Sequence, residues 1–217
     1  MKIEVFGKTY EVGAEQTLLA AMEEAQLTDE TLIVKSGCKS GVCGACAVRV
    51  NGTEKLACGC KAGEGDRIEP LKFEDDGSAL IRAQAWLIEY SGNAVDEAAA
   101  TRFEKQSDCI LCNSCYSICP VLQTNPAFLG PFALTRVWRY VLDPREAATK
   151  LHIEAVQTNG VWDCTLCGYC TTVCPQGIDP KGDILGLRSR SAVLGFQDPN
   201  LPAFGGMGFG FDPNQGF

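Results

Sequence analysis

Thirteen cysteines are the residues of this sequence best suited to chemistry, and most of them lie in tight groups. The sequence contains one histidine, which lies outside these groups. Closely spaced cysteines in loops are typical of iron–sulfur clusters and of zinc sites, because both are bound by thiolates. A disulfide framework is the other common use of so many cysteines, but it is typical of secreted chains, and the start of this chain does not resemble a signal peptide. The repeated C-x-x-C spacing therefore favours metal binding by thiolates.

The first group of cysteines has the spacing of a plant-type 2Fe–2S site. Cys38, Cys43 and Cys46 follow the pattern C-x4-C-x2-C, and Cys58 follows after eleven further residues. Zinc is less consistent with this group, because zinc sites of this kind usually combine two C-x-x-C pairs. Glycine allows the backbone amides of such a loop to turn toward the sulfur atoms, and the loop contains three glycines: Gly37, Gly41 and Gly44.

Two further groups each follow the pattern C-x2-C-x2-C-x3-C-P, which is typical of bacterial ferredoxins with two 4Fe–4S clusters. In those proteins the fourth cysteine of each run binds the other cluster, so we expect crossed ligation. Zinc stays a weaker alternative for both runs. The predicted ligand sets are Cys109, Cys112, Cys115 and Cys174 for one cluster, and Cys164, Cys167, Cys170 and Cys119 for the other.

The remaining candidate residues indicate no substrate chemistry. Cys60 fits no ligand position, so we expect a small buried thiol, with an occasional ligand as the alternative. For His152, the only histidine, we expect a surface or capping role, with a role toward protons or quinone as the alternative. The sequence contains no nucleophile–base arrangement, phosphate-binding glycine loop, flavin fingerprint or nicotinamide fingerprint. We therefore predict cofactor-binding residues but no catalytic residue.

The sequence patterns around the first cysteine group predict a β-grasp domain over residues 1–75, whose strands and helix would position these cysteines. Alternating residues near the start indicate a β-hairpin, and helical spacing begins at Leu18. We expect a short buried strand at 32–34, a hairpin turn at Asn51-Gly52 and a closing strand at 67–69. The predicted class is α+β, with this plant-type ferredoxin domain first.

A polar stretch over 72–78 reads as a linker to an all-helical, bacterial-ferredoxin-like domain with two cubane clusters, residues 76–194. We expect helices over 79–90, 127–142 and 144–157, with Pro144 at a first helical position. Residues 195–217 are rich in Gly, Phe and Pro, which indicates either an extended end or a strap whose phenylalanines dock on a surface.

The overall charge and hydropathy limit the choice of partners. The net charge is −8, which argues against binding to nucleic acid or to an anionic membrane surface. No run of about 18 apolar residues is present, so we expect no transmembrane helix. Any contact with a membrane is therefore expected to pass through a partner.

With these motifs in place, the chain resembles the iron–sulfur subunit of succinate dehydrogenase and fumarate reductase. The resemblance covers roughly residues 1–190 and is weakest over 73–100. It is carried by CKSGVCGAC at 38–46, by NPAFLGPFALTRVWRYVL at 125–142 and by GVWDCTLCGYCTTVCPQGIDP at 160–180.

The resemblance implies an electron-transfer role between an FAD-containing flavoprotein subunit, which interconverts succinate and fumarate, and a membrane anchor that handles quinone. It implies association with a membrane through these partners, expected on the cytoplasmic side. Electrons would pass between the flavin, the 2Fe–2S cluster, the 4Fe–4S cluster, the third cluster and quinone. The ligand positions of the family match those given above, with three of them, Cys119, Cys164 and Cys170, serving the third cluster.

Two departures from the family pattern set this chain apart. The usual member holds a 3Fe–4S third cluster and has no cysteine at the position of Cys167, so we expect a 4Fe–4S cluster here, although a 3Fe–4S cluster stays possible at the same site. The usual tryptophan and histidine of the quinone pocket are replaced by residues 121–123 (VLQ) and Thr165. This resembles the non-classical branch of the family, whose partner is a cysteine-rich subunit similar to heterodisulfide reductase. A thiol-linked fumarate reductase and a free-standing multi-cluster ferredoxin are the alternatives.

Overall fold

The computed structural model describes residues 1–200, and two hydrophobic cores organise them. The first core lies between a five-stranded sheet and one helix, and includes Ile3, Val5, Leu18 and Ile68, all at most 1% exposed. The second core lies among helices and includes Phe128, which is fully buried. This confirms the predicted α+β class with a sheet domain followed by a helical one, while the domain boundaries at 75 and 194 stay predictions.

The sheet has the strand order β2-β1-β5-β3-β4. Its outer strands form two antiparallel hairpins, and β5 joins them by pairing parallel to β1 and antiparallel to β3. The predicted hairpin turn at Asn51-Gly52 is confirmed, with positive φ at both residues. The bounds are Lys2–Val5 (β1), Lys8–Glu11 (β2), Ala47–Val50 (β3), Thr53–Leu56 (β4) and Arg67–Glu69 (β5).

Helix α1 covers the sheet, and the Thr17 hydroxyl caps it by accepting a hydrogen bond from the amide of Ala20. A short 3-10 helix, Ala57–Gly59, also belongs to the sheet domain. The other α-helices of the described chain form the second domain, in which α7 and α10 pack along each other. The bounds are Leu18–Thr28 (α1), Ser78–Arg82 (α2), Glu97–Ala100 (α3), Glu104–Ser107 (α4), Ser114–Ser117 (α5), Val121–Thr124 (α6), Pro131–Leu142 (α7), Thr149–Ala155 (α8), Tyr169–Thr172 (α9) and Pro180–Val193 (α10).

Several local predictions were wrong. The helices predicted over 127–142 and 144–157 are shorter, Pro131–Leu142 and Thr149–Ala155. Residues 32–34 form no strand, and Ile33 is 74% exposed. The helix predicted over 79–90 ends at Arg82, and the backbone leaves the helical conformation at Gln84, which has φ of +50°. Further along, the amides of Ile88 and Glu89 donate to the carboxylate of Glu146. Pro144 lies in the loop before α8 rather than at its first position.

The structure bears on the prediction that no transmembrane helix is present, but not on the prediction for the tail. Within residues 1–200, the longest helices are too short and too polar to cross a bilayer. The two alternatives for the Gly/Phe/Pro-rich tail concern residues that lie, from 201 onward, outside the described part of the chain.

Candidate metal centres

Backbone amides converge on the sulfur atoms of the first cysteine group. The amides of Val42 and Cys43 each donate to Cys38 Sγ at 3.3 Å, and the amide of Gly41 donates to Cys58 Sγ at 3.2 Å. Gly41 has φ of +76°, which glycine adopts without steric cost. The donors point at atoms that would carry negative charge as thiolates, so the loop fits a thiolate-bound cluster.

These donors affect the acidity of the thiols. Hydrogen bonds from the hydroxyl and amide of Ser40, and then from the amides of Val42 and Cys43, lower the pKa of Cys38 to about 6. Burial raises the pKa of Cys46, whose side chain lies beneath the loop. The exposed side of the loop therefore favours a thiolate before any metal binds.

The two later cysteine runs repeat one backbone conformation. Leu111 and Leu166, each one residue before the second cysteine of its run, have φ of +54° and +57°. Positive φ is uncommon for a side chain of this size and has a steric cost. In both runs this conformation directs the leucine amide to the sulfur of the first cysteine, with Leu166 N 3.3 Å from Cys164 Sγ. The strained leucine conformation therefore allows the same amide–sulfur hydrogen bond in each of the two runs.

The thiols of these runs lie close enough to influence one another across the runs. Burial raises the pKa of Cys115 well above its ordinary value, and nearby cysteines from both runs, including Cys174, raise it further. Burial likewise raises the pKa of Cys119, with Cys164 and Cys167 adding to the shift. Cys174 therefore lies near Cys109 and Cys115 of the other run, and Cys119 lies near Cys164 and Cys167.

The third group also lines one cavity. Cys119, Cys164, Cys167 and Cys170 all contribute to its wall, together with apolar side chains and Lys181. Burial raises the pKa of Cys170 to about 12, so that binding to iron would displace its proton. Across residues 1–200, no three cysteine, histidine or acidic side chains are gathered tightly enough to hold a single ion. A 4Fe–4S cluster binds each thiolate through a separate iron atom, and in a 2Fe–2S cluster only two thiolates share an iron, so neither cluster requires such gathering.

The first cysteine loop contacts the second run directly. A Cβ atom placed on Gly44 would lie 2.8 Å from Cys112 Cβ, so only glycine permits this approach. Buried polar groups hold the same junction: the Ser117 hydroxyl donates to Glu54 Oε1 at 2.9 Å and accepts from the amide of Lys72 at 2.8 Å. The spacing of the cysteines gave no indication of these contacts, since they join residues far apart in sequence.

Cys60 and His152, the two candidates outside the cysteine groups, agree differently with what the sequence predicts. Cys60 is half-buried and donates through Sγ to the carbonyl of Leu56, and burial raises its pKa, as expected for a packed thiol. The surface role expected for His152 is wrong, because this side chain is fully buried and its Nε2 lies 3.0 Å from Glu146 Oε2. A histidine on a helix gives no sequence signal for such burial.

Comparison with known families and proteins agrees with this geometry. Residues 2–77 match the 2Fe-2S iron-sulfur cluster binding domain, and residues 105–178 match the 4Fe-4S dicluster domain. The matched ranges include all of the predicted ligands. The expectation of 2Fe–2S and 4Fe–4S cofactors is thereby confirmed.

Several known proteins align with most of the chain. The fumarate reductase iron–sulfur subunit of Mycobacterium tuberculosis is 33% identical, with 82% of this chain and 81% of that protein aligned. The 8-methylmenaquinol:fumarate reductase iron–sulfur subunit of Wolinella succinogenes is 34% identical, with 82% of this chain and 64% of that protein aligned. A chain of the Mycobacterium smegmatis Sdh1 complex in the apo form has the same fold, with a TM-score of 0.78 at 22% identity over 92% of this chain and 98% of that one.

These relatives confirm the family resemblance. The chain therefore belongs to the family of iron–sulfur subunits of succinate dehydrogenase and fumarate reductase, and its role is electron transfer within an oxidoreductase.

Proposed function

We propose that this subunit relays electrons through three clusters bound in the order of its three cysteine groups. The clusters, when bound, supply one-electron carriers that the side chains themselves cannot provide. The proposed ligands are Cys38, Cys43, Cys46 and Cys58 for the 2Fe–2S cluster, Cys109, Cys112, Cys115 and Cys174 for the middle 4Fe–4S cluster, and Cys119, Cys164, Cys167 and Cys170 for the third cluster.

The observation that carries this proposal is the crossed neighbourhood of the two later runs. Cys174 lies within electrostatic influence of Cys109 and Cys115, whereas Cys119 lies within that of Cys164 and Cys167. Crossed ligation keeps the two sites adjacent, which favours rapid transfer between them. Amides that point at Cys164 and Cys174 would stabilise the negative charge of the thiolates.

We propose that the third cluster is 4Fe–4S, because Cys167 supplies a fourth thiolate. Its side chain is exposed at the edge of the cavity that Cys119, Cys164 and Cys170 line. A fourth thiolate can retain the fourth iron, and cluster type has a strong effect on potential. A 4Fe–4S centre is expected to have a lower potential than a 3Fe–4S centre at this position.

Potentiometric EPR of the purified protein tests the cluster assignment. We expect three centres and no stoichiometric 3Fe–4S signal in the oxidised protein. Cys167→Ser should convert the third centre to 3Fe–4S, whereas Cys60→Ser, the matched control, should leave all three unchanged. A stoichiometric 3Fe–4S signal in the unmodified protein, insensitive to added iron, would show that Cys167 is not a ligand.

The proposed electron partners are an FAD-containing flavoprotein subunit and a further subunit that is either a membrane anchor or a cysteine-rich, heterodisulfide-reductase-like protein. The Wolinella succinogenes relative, which is named for 8-methylmenaquinol and fumarate, supports an indirect link to a quinone pool. Association with the cytoplasmic face of a membrane through these partners is part of the proposal.

Thr165 favours the cysteine-rich partner over a quinone-binding anchor. It lines the third-group cavity, at the position where the resemblance implies a histidine of the quinone pocket. Assays of the co-purified complex with quinols and with dithiols separate these acceptors, and succinate-dependent cluster reduction tests the flavoprotein link. An isolated, stable, fully loaded monomer without co-purifying subunits would instead favour a free-standing ferredoxin.

A further inference from the structure

Gln176 connects two of the proposed cluster sites by a hydrogen bond that spans 135 positions of sequence. It follows Cys174 and Pro175, so its backbone belongs to the segment that provides the fourth ligand of the middle cluster. Its Nε2 donates to the carbonyl oxygen of Gly41 at 3.3 Å, within the loop that provides the 2Fe–2S ligands. The side chain is half-buried between these two segments.

The peptide group that receives this hydrogen bond also binds a ligand sulfur. The carbonyl of Gly41 and the amide of Val42 belong to one peptide unit, and that amide donates to Cys38 Sγ at 3.3 Å. A donor at the carbonyl end polarises a peptide group and strengthens the hydrogen bond made by its amide end. Gln176 therefore acts on the Cys38 sulfur through one intervening peptide.

The same junction has a second, independent contact. Gly44 has φ of +74°, and a Cβ atom on it would approach Cys112 Cα to 3.0 Å. Cys112 is a proposed ligand of the middle cluster, so the two loops meet at Cys112 as well as at Gln176. Two contacts fix the position of one loop against the other, whereas a single contact would leave a hinge.

We propose that Gln176 is a positioning residue for electron transfer between the 2Fe–2S and middle clusters. It holds the Gly41 carbonyl, which fixes the separation of the two sites, and it strengthens the amide hydrogen bond to Cys38, which raises the potential of the 2Fe–2S cluster. Hydrogen bonds to the sulfur atoms are among the factors that set such potentials. This inference rests on the ligand assignment of the proposed function.

Gln176→Met removes the donor while keeping the length and neutrality of the side chain. At a fixed solution potential, we expect the ratio of reduced to oxidised 2Fe–2S cluster to fall about threefold, a shift of about 30 mV at 59 mV per tenfold change. The microwave power that half-saturates the 2Fe–2S EPR signal should also fall, because magnetic coupling to the reduced middle cluster weakens as the loops separate. Gln197→Leu, at an exposed position far along the chain, is the control and should change neither quantity.

Gln176→Lys distinguishes positioning from a general effect of substitution, because lysine retains a donor of similar reach. We expect its EPR saturation to match that of the unmodified protein, whereas its added charge holds the potential at or above the original value. If Gln176→Met fails to assemble its clusters, Gln176→Ala and Gln176→Lys give the same comparison. Equal saturation and potential in the alanine, methionine and unmodified proteins would overturn the inference.

Failure of the proposed function would look different. The unmodified protein alone reports on that assignment, since absence of a 2Fe–2S signal would refute the ligand set whatever Gln176 does. Normal spectra in the unmodified protein, with no response to the substitutions, would refute only the role of Gln176.

Discussion

At the scale of single residues, Asp183 shows how strongly burial in the helical core shifts the pKa of a carboxyl group. Its side chain, 4% exposed, accepts hydrogen bonds from the Thr135 hydroxyl and the Gln106 amide, both at 2.8 Å. Burial nevertheless raises its pKa from an ordinary 3.8 to about 6. The protonated carboxyl group is therefore more favourable in the folded state than in the unfolded chain. The resulting stabilisation is complete below pH 3.8 and is lost as the pH rises through about 6.

Asp183→Asn should accordingly stabilise the protein at neutral pH. An amide keeps the shape of the carboxyl group without its charge, so we expect the free energy of unfolding at pH 7.5 to rise by about 2 kcal/mol, with about half of that gain left near pH 5 and little change near pH 3. Thermal unfolding followed by circular dichroism across this pH range measures the effect. Asp179→Asn is the control, because the Thr171 hydroxyl lowers the pKa of Asp179 and the opposite sign is expected. A uniform shift at all pH values for Asp183→Asn would contradict this account.

Gly41 and Gly44 allow backbone strain to be separated from close approach. Both have positive φ, but a Cβ atom on Gly41 would meet nothing within 4 Å, whereas one on Gly44 would meet Cys112. We expect Gly41→Ala to cost about 1 kcal/mol of stability from strain alone, and Gly44→Ala to cost more and to displace the loop. Denaturant unfolding measures the loss of stability, and EPR saturation of the 2Fe–2S signal measures the displacement of the loop. Equal behaviour of the two variants would indicate that the approach to Cys112 is not tight.

At the scale of elements, Glu146 holds the non-helical segment that follows α2 in place. Although burial alone would raise its pKa, the hydrogen bond from His152 and three backbone amides holds it below the ordinary value. Two of those amides belong to Ile88 and Glu89, at 2.6 and 3.1 Å. The carboxylate therefore clamps the segment after α2 against the loop between α7 and α8.

Glu146→Ala should release that segment. Several buried donors would lose their acceptor, at a cost of about 2–4 kcal/mol. We expect faster hydrogen exchange at residues 86–91 and easier proteolysis there. Glu154→Ala, on the partly exposed side of α8, is the matched control and should change neither. Unchanged exchange at residues 86–91 in Glu146→Ala would show that other contacts hold the segment.

The sequence predicts features that depend on residues close together in the chain, and it misses those that depend on contacts between distant segments. The cysteine spacing is local, and it predicted the cluster types of both family domains. The strand predicted around Ile33 failed because apolar character does not show whether a backbone partner is within reach. The helix over 79–90 failed because the backbone turns out of the helix at Gln84, with φ of +50°, and Glu146, a distant residue, accepts from the amides of Ile88 and Glu89 beyond it. The junction at Gly44 and Gln176 arises only when distant segments meet, so a single sequence holds no pattern for it.

At the scale of the whole molecule, the two cores predict an uneven response to loss of the clusters. The sheet has its own core beneath α1, formed by residues such as Ile3 and Leu18. The cysteine runs instead depend on α5, α6 and α9, each of four residues. Helices this short are not stable by themselves, so tertiary contacts and cluster ligation must hold them.

Removal of the clusters under oxidising chelation should therefore loosen the runs before the sheet. In the full-length chain we expect hydrogen exchange to accelerate over 105–124 and 164–178, while amides of β1, β3 and β5 stay protected. Because the proposed crossed ligation would join the two runs through both cluster sites, loss at either site should affect both ranges together. Cys174→Ser tests this directly, since its own run and the 109–115 segment should respond alike. Loosening confined to one run would contradict crossed ligation, because each run would then hold its own cluster.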